Sequence, residues 1–96
     1  MVIGVLRLSL RFHGNCSLKG KQSKINKLKT QVRNKFNISI ADISEDETDV
    51  ELADIGMAIV NNDGSYVNKI LDHVINEVES LCIGDLLKHE FEIINV

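Results

Sequence analysis

Proline is absent from this 96-residue chain. No stretch of it reads as a linker, a repeat or a low-complexity tract. With no composition shift to mark a boundary, the length predicts a single domain over residues 1–96. Two cysteines, Cys16 and Cys82, make no CxxC pair and no framework of bridges. They read as free thiols of a reducing compartment, with one long-range disulfide as the alternative. No apolar run approaches the roughly 18 residues that a membrane span needs. The amino terminus starts directly on a strand pattern, without a charged segment ahead of an apolar one. No secretory signal is expected, and a cytoplasmic location is.

Acidic residues are missing from the first 41 positions, where Arg7, Arg11, Lys19, Lys21, Lys24, Lys27, Lys29, Arg33 and Lys35 stand. All 14 acids follow, against Lys69 and Lys88 alone, so the net charge of −3 conceals a segregation. Such asymmetry fits an anionic partner on one face, or two halves of one fold that neutralise each other. At 44% hydrophobic residues, the chain has enough apolar surface to offset its conformational entropy and form a core.

Hydrophobic periodicity orders that core. Val2 to Phe12 alternates, with Leu6, Leu8, Leu10 and Phe12 against Arg7, Ser9 and Arg11, which predicts a half-buried strand. Ser17 is placed to cap a helix, and Leu18, Ile25, Leu28, Val32 and Phe36 recur at helical spacing. Ile38 to Ile43 predicts a second strand, residues 44–49 an acidic turn, and Leu52 to Val60 a third strand. Asn61-Asn62-Asp63-Gly64 is turn and capping chemistry. A second helix follows on Val67, Ile70, Leu71, Val74, Val78 and Leu81, with Gly84 as its expected C-cap. Asp85 to Ile94 alternates as a fourth strand, Leu87, His89, Phe91 and Ile93 against Lys88, Glu90 and Glu92. The order β-α-β-β-α-β predicts an α+β sandwich: a four-stranded antiparallel sheet, order 4-1-3-2, with two helices on one face.

Catalytic and ligand signals are sparse. His13, His73 and His89 share no ligand spacing. His13-x-x-Cys16 supplies two metal ligands at most, where a structural zinc site takes four. The same pair is the sole candidate nucleophile and base, and no third group orients it. Gly14 and Gly64 stand alone, outside any phosphate loop, and the acids at 45–49 lack the ordered spacing of a calcium loop. No cofactor, metal or small-molecule substrate is expected. The sheet positions that stack bases in sheet-based RNA readers carry no aromatic residue here, which argues against that mode.

Three segments resemble the YlxP-like family of small bacterial proteins: Ser17-Leu18-Lys19-x-Lys21, Arg33-Asn34-Lys35-Phe36-Asn37-Ile38-Ser39-Ile40-Ala41-Asp42, and Ile55 to Asp63. The resemblance runs in register along the whole chain. It implies a ferredoxin-like fold and, through the translation and ribosome-maturation factors that accompany such proteins, an RNA or ribosome setting. Gln22 and Ser23 stand where relatives commonly carry more basic residues, and Gly20 where a glutamate is frequent.

Two functional readings follow. In the first, a non-enzymatic accessory domain contacts RNA or ribosomal phosphates through Lys19, Lys21, Lys24, Lys27, Lys29, Arg33 and Lys35 on the first helix. Lys21 falls near the apolar arc and is expected to extend its amine from it, while Asp72, Glu77 and Glu79 of the second helix are placed to neutralise some of the others. In the second, a protein-interaction module forms a homodimer through its uncovered sheet face. That face is read as Arg7, Ser9, Arg11, Ala41, Ile43, Gly56, Ala58 and Val60, with Arg7 and Arg11 paired across strands to Glu90 and Glu92.

Overall fold

Alternation in the first segment is realised as strand β1, Val2–Arg11. In the computed structural model, which describes all 96 residues, Leu6, Leu8 and Leu10 are buried and Arg7 and Arg11 are exposed. The chain continues through helix α1 (Leu18–Lys35), strand β2 (Ser39–Asp42), strand β3 (Leu52–Asn61), helix α2 (Gly64–Leu81) and strand β4 (Asp85–Asn95). The strands form one antiparallel sheet in the order β2-β3-β1-β4, the expected 4-1-3-2 read from its other edge. The architecture is ferredoxin-like. No helix is long and apolar enough to cross a membrane.

Strand parity sorts the sheet into two faces. One face joins Leu6, Leu8, Leu10, Ile55 and Met57 to Ile25, Leu28 and Val32 of α1 and to Val67, Leu71, Val74 and Val78 of α2, within a single cluster of 19 buried apolar residues. Each fully buried aliphatic or aromatic side chain there contributes about 1.5–3 kcal/mol. Gly4 lets α2 approach β1 closely, because a Cβ at that position would run into Val67.

Local signals set the helix ends. Ser17 Oγ accepts the Gly20 N–H at 3.0 Å, as its capping role predicts. Gly20 itself has a steric reason, since a Cβ there would collide with the Asn15 side chain. That side chain donates to the backbone carbonyls of Ser17 and Val50 and ties the helix start to the segment before β3. Asp63 caps α2 by accepting from the Ser65 and Tyr66 N–H groups.

Two local expectations are corrected. The C-cap of α2 is Cys82, in the left-handed region at φ 53°, and not Gly84. Gly84 serves close approach instead, for a Cβ there would lie 2.8 Å from the Phe12 ring. In β4, the register against β1 shifts between Ser9 and Leu10, so that Leu10 pairs with Leu86 and Ser9 with Lys88. The extra residue, Leu87, leaves the alternation with His89, Phe91 and Ile93 and lines a hollow beside Ser9 and Asp54 on the open face.

Both caps are testable. Cys82→Gly removes a side chain from a backbone conformation that disfavours one, and is expected to raise unfolding free energy by about 1 kcal/mol in urea titration. The bonds from Ser65 and Tyr66 hold the Asp63 carboxyl below its ordinary range. Because the folded pKa is the lower one, this stabilisation is complete above the ordinary aspartate value of about 4 and is lost as pH falls through the folded value. Asp63→Ala is therefore expected to lower the melting temperature at neutral pH, with the gap to the parent protein closing on acidification.

Candidate functional site

The helical stripe of α1 buries Ile25, Leu28 and Val32 and turns most of its charge outward. The seven basic positions separate into distinct environments. Lys19, Lys27, Arg33 and Lys35 are exposed, and Lys24 and Lys29 are half-buried. Lys24 sits with its ammonium 5.9 Å from the centroid of the Phe12 ring, within reach of a cation–π contact. Arg33 donates to the Ile40 carbonyl at 3.1 Å and fastens the end of α1 to β2. Lys35 reaches Glu77 of α2 at 2.8 Å.

Lys21 does not belong to the surface. It is 2% exposed, and its Nζ donates to the Asp49 carbonyl at 2.6 Å. At about 100° per residue its direction falls inside the apolar arc, and the β2–β3 connection then closes over the amine. It is an anchor for that connection and is removed from the phosphate-contacting set. The connection is braced by its own acids. Asp42 accepts from Ser44, Asp46 from Thr48, and Asp49 from the Glu51 and Leu52 N–H groups. These bonds hold the Asp46 and Asp49 carboxyls below their ordinary range.

Neutralisation of α1 by α2 is limited to one contact. Of the helix's cations, Lys35 alone meets a carboxylate, and Asp72 and Glu79 reach none of them. Lys19, Lys24, Lys27, Lys29 and Arg33 carry positive charge with no acidic partner.

The open face gathers the other predicted residues. Across it run the rows Val5–Ala58–Ser39 and Arg7–Gly56–Ala41, with Glu92 and Glu90 on the far side of β1. Ile43 folds over Gly56, and Val60 is 60% exposed. The expected pairing of Arg7 and Arg11 with Glu90 and Glu92 is not what forms. Arg7 reaches Asp54 at 3.5 Å, which also accepts from Ser9 Oγ at 2.7 Å, and Arg11 reaches Glu51 at 3.3 Å. The register explains the difference: Arg7 does lie opposite Glu90, but Glu92 lies opposite Val5 and Arg11 opposite Asp85. Lys88 takes Glu90 instead, at 3.0 Å, and its hydrogen bond holds that carboxyl below its ordinary range.

Sequence reasoning placed Asp54 on this face and missed Ile3, Val5, Leu52, Leu87 and Ile94. Parity along β1 and β3 was enough to find Ile3, Val5 and Leu52. Ile94 continues the alternation of Lys88, Glu90 and Glu92, whereas Leu87 depends on a bulge that alternation does not reveal. His13 is engaged by Asp85, 2.6 Å away, rather than by Cys16. No three His, Cys, Asp or Glu side chains converge on a common point.

Lys21→Met keeps most of the buried stem and removes the bond to Asp49. It is expected to cost about 1–3 kcal/mol in urea unfolding, because the carbonyl loses a charged donor. Anion binding by the exposed lysines should be unaffected.

Comparison with solved structures concerns the fold. The de novo designed protein Foldit4 is 10% identical, with 99% of this chain and 97% of the design covered and a TM-score of 0.55. A second design, Ferredog-Diesel, is 16% identical over 97% of this chain and 84% of its own, at a TM-score of 0.44. A dimeric ferredoxin-like protein of unknown function from Thermobifida fusca is 10% identical, with 98% and 92% covered and a TM-score of 0.43. No curated protein matches the chain. The pattern of the DUF503 family, described as a protein of unknown function, matches residues 3–91, and the chain belongs to that family.

Proposed function

We propose that this protein is a non-enzymatic accessory domain that contacts RNA, free or within the ribosome, through the solvent side of α1. The observation that carries this reading is the set of five α1 cations, Lys19, Lys24, Lys27, Lys29 and Arg33, that meet no carboxylate. The helix contains no acid at all. Like charges three or four residues apart on a helix repel, and a polyanion relieves that repulsion while releasing its own counterions. The resemblance to the YlxP-like proteins supplies the ribosomal setting, and the same setting makes the location cytoplasmic. The contacts are to phosphate, so binding is independent of base sequence. The other reading, an interaction module that docks by its sheet, concerns the opposite side of the molecule and is compatible with this one.

Lys19, Lys27 and Lys29 are the residues to change, because neither Glu77 nor Phe12 engages them. The triple replacement by glutamate is expected to weaken binding of mixed-sequence single-stranded RNA by at least about tenfold. It should also flatten the slope of log affinity against log salt by about 2, at roughly 0.7 per lost phosphate contact. Co-sedimentation with ribosomal subunits at low salt should fall in parallel. Unchanged affinity and slope in the triple variant would remove this reading.

A further inference from the structure

We infer that the open face of the sheet is a two-fold interface between two copies of this chain. The inference concerns the side of the molecule opposite α1 and does not depend on RNA binding.

Most of the large apolar side chains left in solvent gather on one side of this protein, with Leu18 of α1, Tyr66 of α2 and Phe91 on the helix side of β4 as the exceptions. Val5, Ile43, Leu52, Val60, Leu87 and Ile94 are between 38% and 60% exposed, and all belong to the open face or its rim. Met1 and Val96, joined by backbone bonds at the end of that face, add two more. Such a concentration marks an interaction surface, where isolated exposed residues would mark nothing.

The charges among them restrict the occupant. Arg7, Arg11 and Lys88 are interspersed with Glu51, Asp54, Glu90 and Glu92. A surface with more acids than bases repels phosphate, whether of nucleic acid or of lipid. Having both signs and an apolar end, it matches a surface of its own kind.

Shape makes the same selection. The β1 and β4 half carries long side chains at its centre, Val5, Arg7, Glu90 and Glu92. The β3 and β2 half carries Ser39, Ala41, Gly56 and Ala58 in the same rows. A two-fold axis between the sheets and along the strands sets β1 of each copy over β3 of the other. Each long half then lies on a small half, each apolar end lies on its counterpart, and Arg7 comes down near Asp54 of the partner subunit. This is the isologous arrangement that closes a dimer. In projection, strand spacing and rise give the face roughly 500–600 Å². Its side-chain relief brings that within reach of the ~800 Å² per partner of a standard interface.

Sedimentation velocity on the full chain, from about 1 μM to about 500 μM, tests the inference. The expected result is a concentration-dependent rise to the mass of two copies. Ala58→Arg inserts a long side chain into the small half and is expected to raise the dimer dissociation constant by about 100-fold without changing the melting temperature of the monomer. Should that variant fail to fold, Val60→Arg, at a position already exposed, reads the same surface. A charge-swapped pair gives an independent check: Arg7→Glu/Arg11→Glu and Glu51→Lys/Asp54→Lys should each sediment as monomers and form a heterodimer when mixed. A parent protein that keeps the mass of one copy at every concentration overturns the inference. So does a dimer whose affinity survives the arginine at position 58 or 60.

Discussion

Two helices cover one face of a four-stranded sheet and leave the other to solvent, and the rest of the structure depends on that one-sided cover. Strand β1, bonded along both edges, imposes the division on its neighbours. Its even positions enter the core and its odd positions set the open face. A sheet residue on either side of β1 is assigned to a face by its register with β1. The core consumes the apolar content of both helices, and the functional candidates are pushed onto two surfaces: the outer side of α1 and the bare side of the sheet.

Charge follows the same division. The excess of positive charge in the first 41 residues becomes, in three dimensions, a basic helix on one side and two arginines on the other. Lys21 enters the core and Lys35 meets Glu77, so the helix presents less charge than its sequence suggests but keeps five unmatched cations. The acids do not gather against them. Asp42, Asp46 and Asp49 spend their lone pairs on backbone and hydroxyl donors of the β2–β3 connection. Asp63 spends its own on the start of α2. Much of the acidic half thus shapes turns and caps, which explains why it leaves the basic helix unneutralised.

Legibility in the sequence varied with the range of the interaction. Ser17 was readable as a cap, and the cap of α2 as lying within residues 61–64, because a cap is settled within four residues. The inward face of β1 was readable because alternation is a property of the strand itself. Cys82 was not, since a non-glycine residue in the left-handed region is held there by the chain packed on both sides of it. The partners of Arg7 and Arg11 were not, because Lys88 takes the Glu90 opposite Arg7, no glutamate of β4 stands opposite Arg11, and both arginines turn to acids on the β3 side, Asp54 and Glu51. Burial of Lys21 was half readable: its direction on the helix pointed inward, but the carbonyl that receives its amine comes from 28 residues away.

The sequence by itself determined the order of elements, the antiparallel sheet and its topology, and the core faces of both helices. These rest on periods of 2 and 3.6 residues, which are local and are repeated often enough to resist error. Only the tertiary structure decided which basic residues remain free, where β4 slips against β1, and how apolar the bare face of the sheet is. Each of these is set by a neighbour distant in the chain, through register, burial or a single hydrogen bond, and none of those contacts repeats along the sequence.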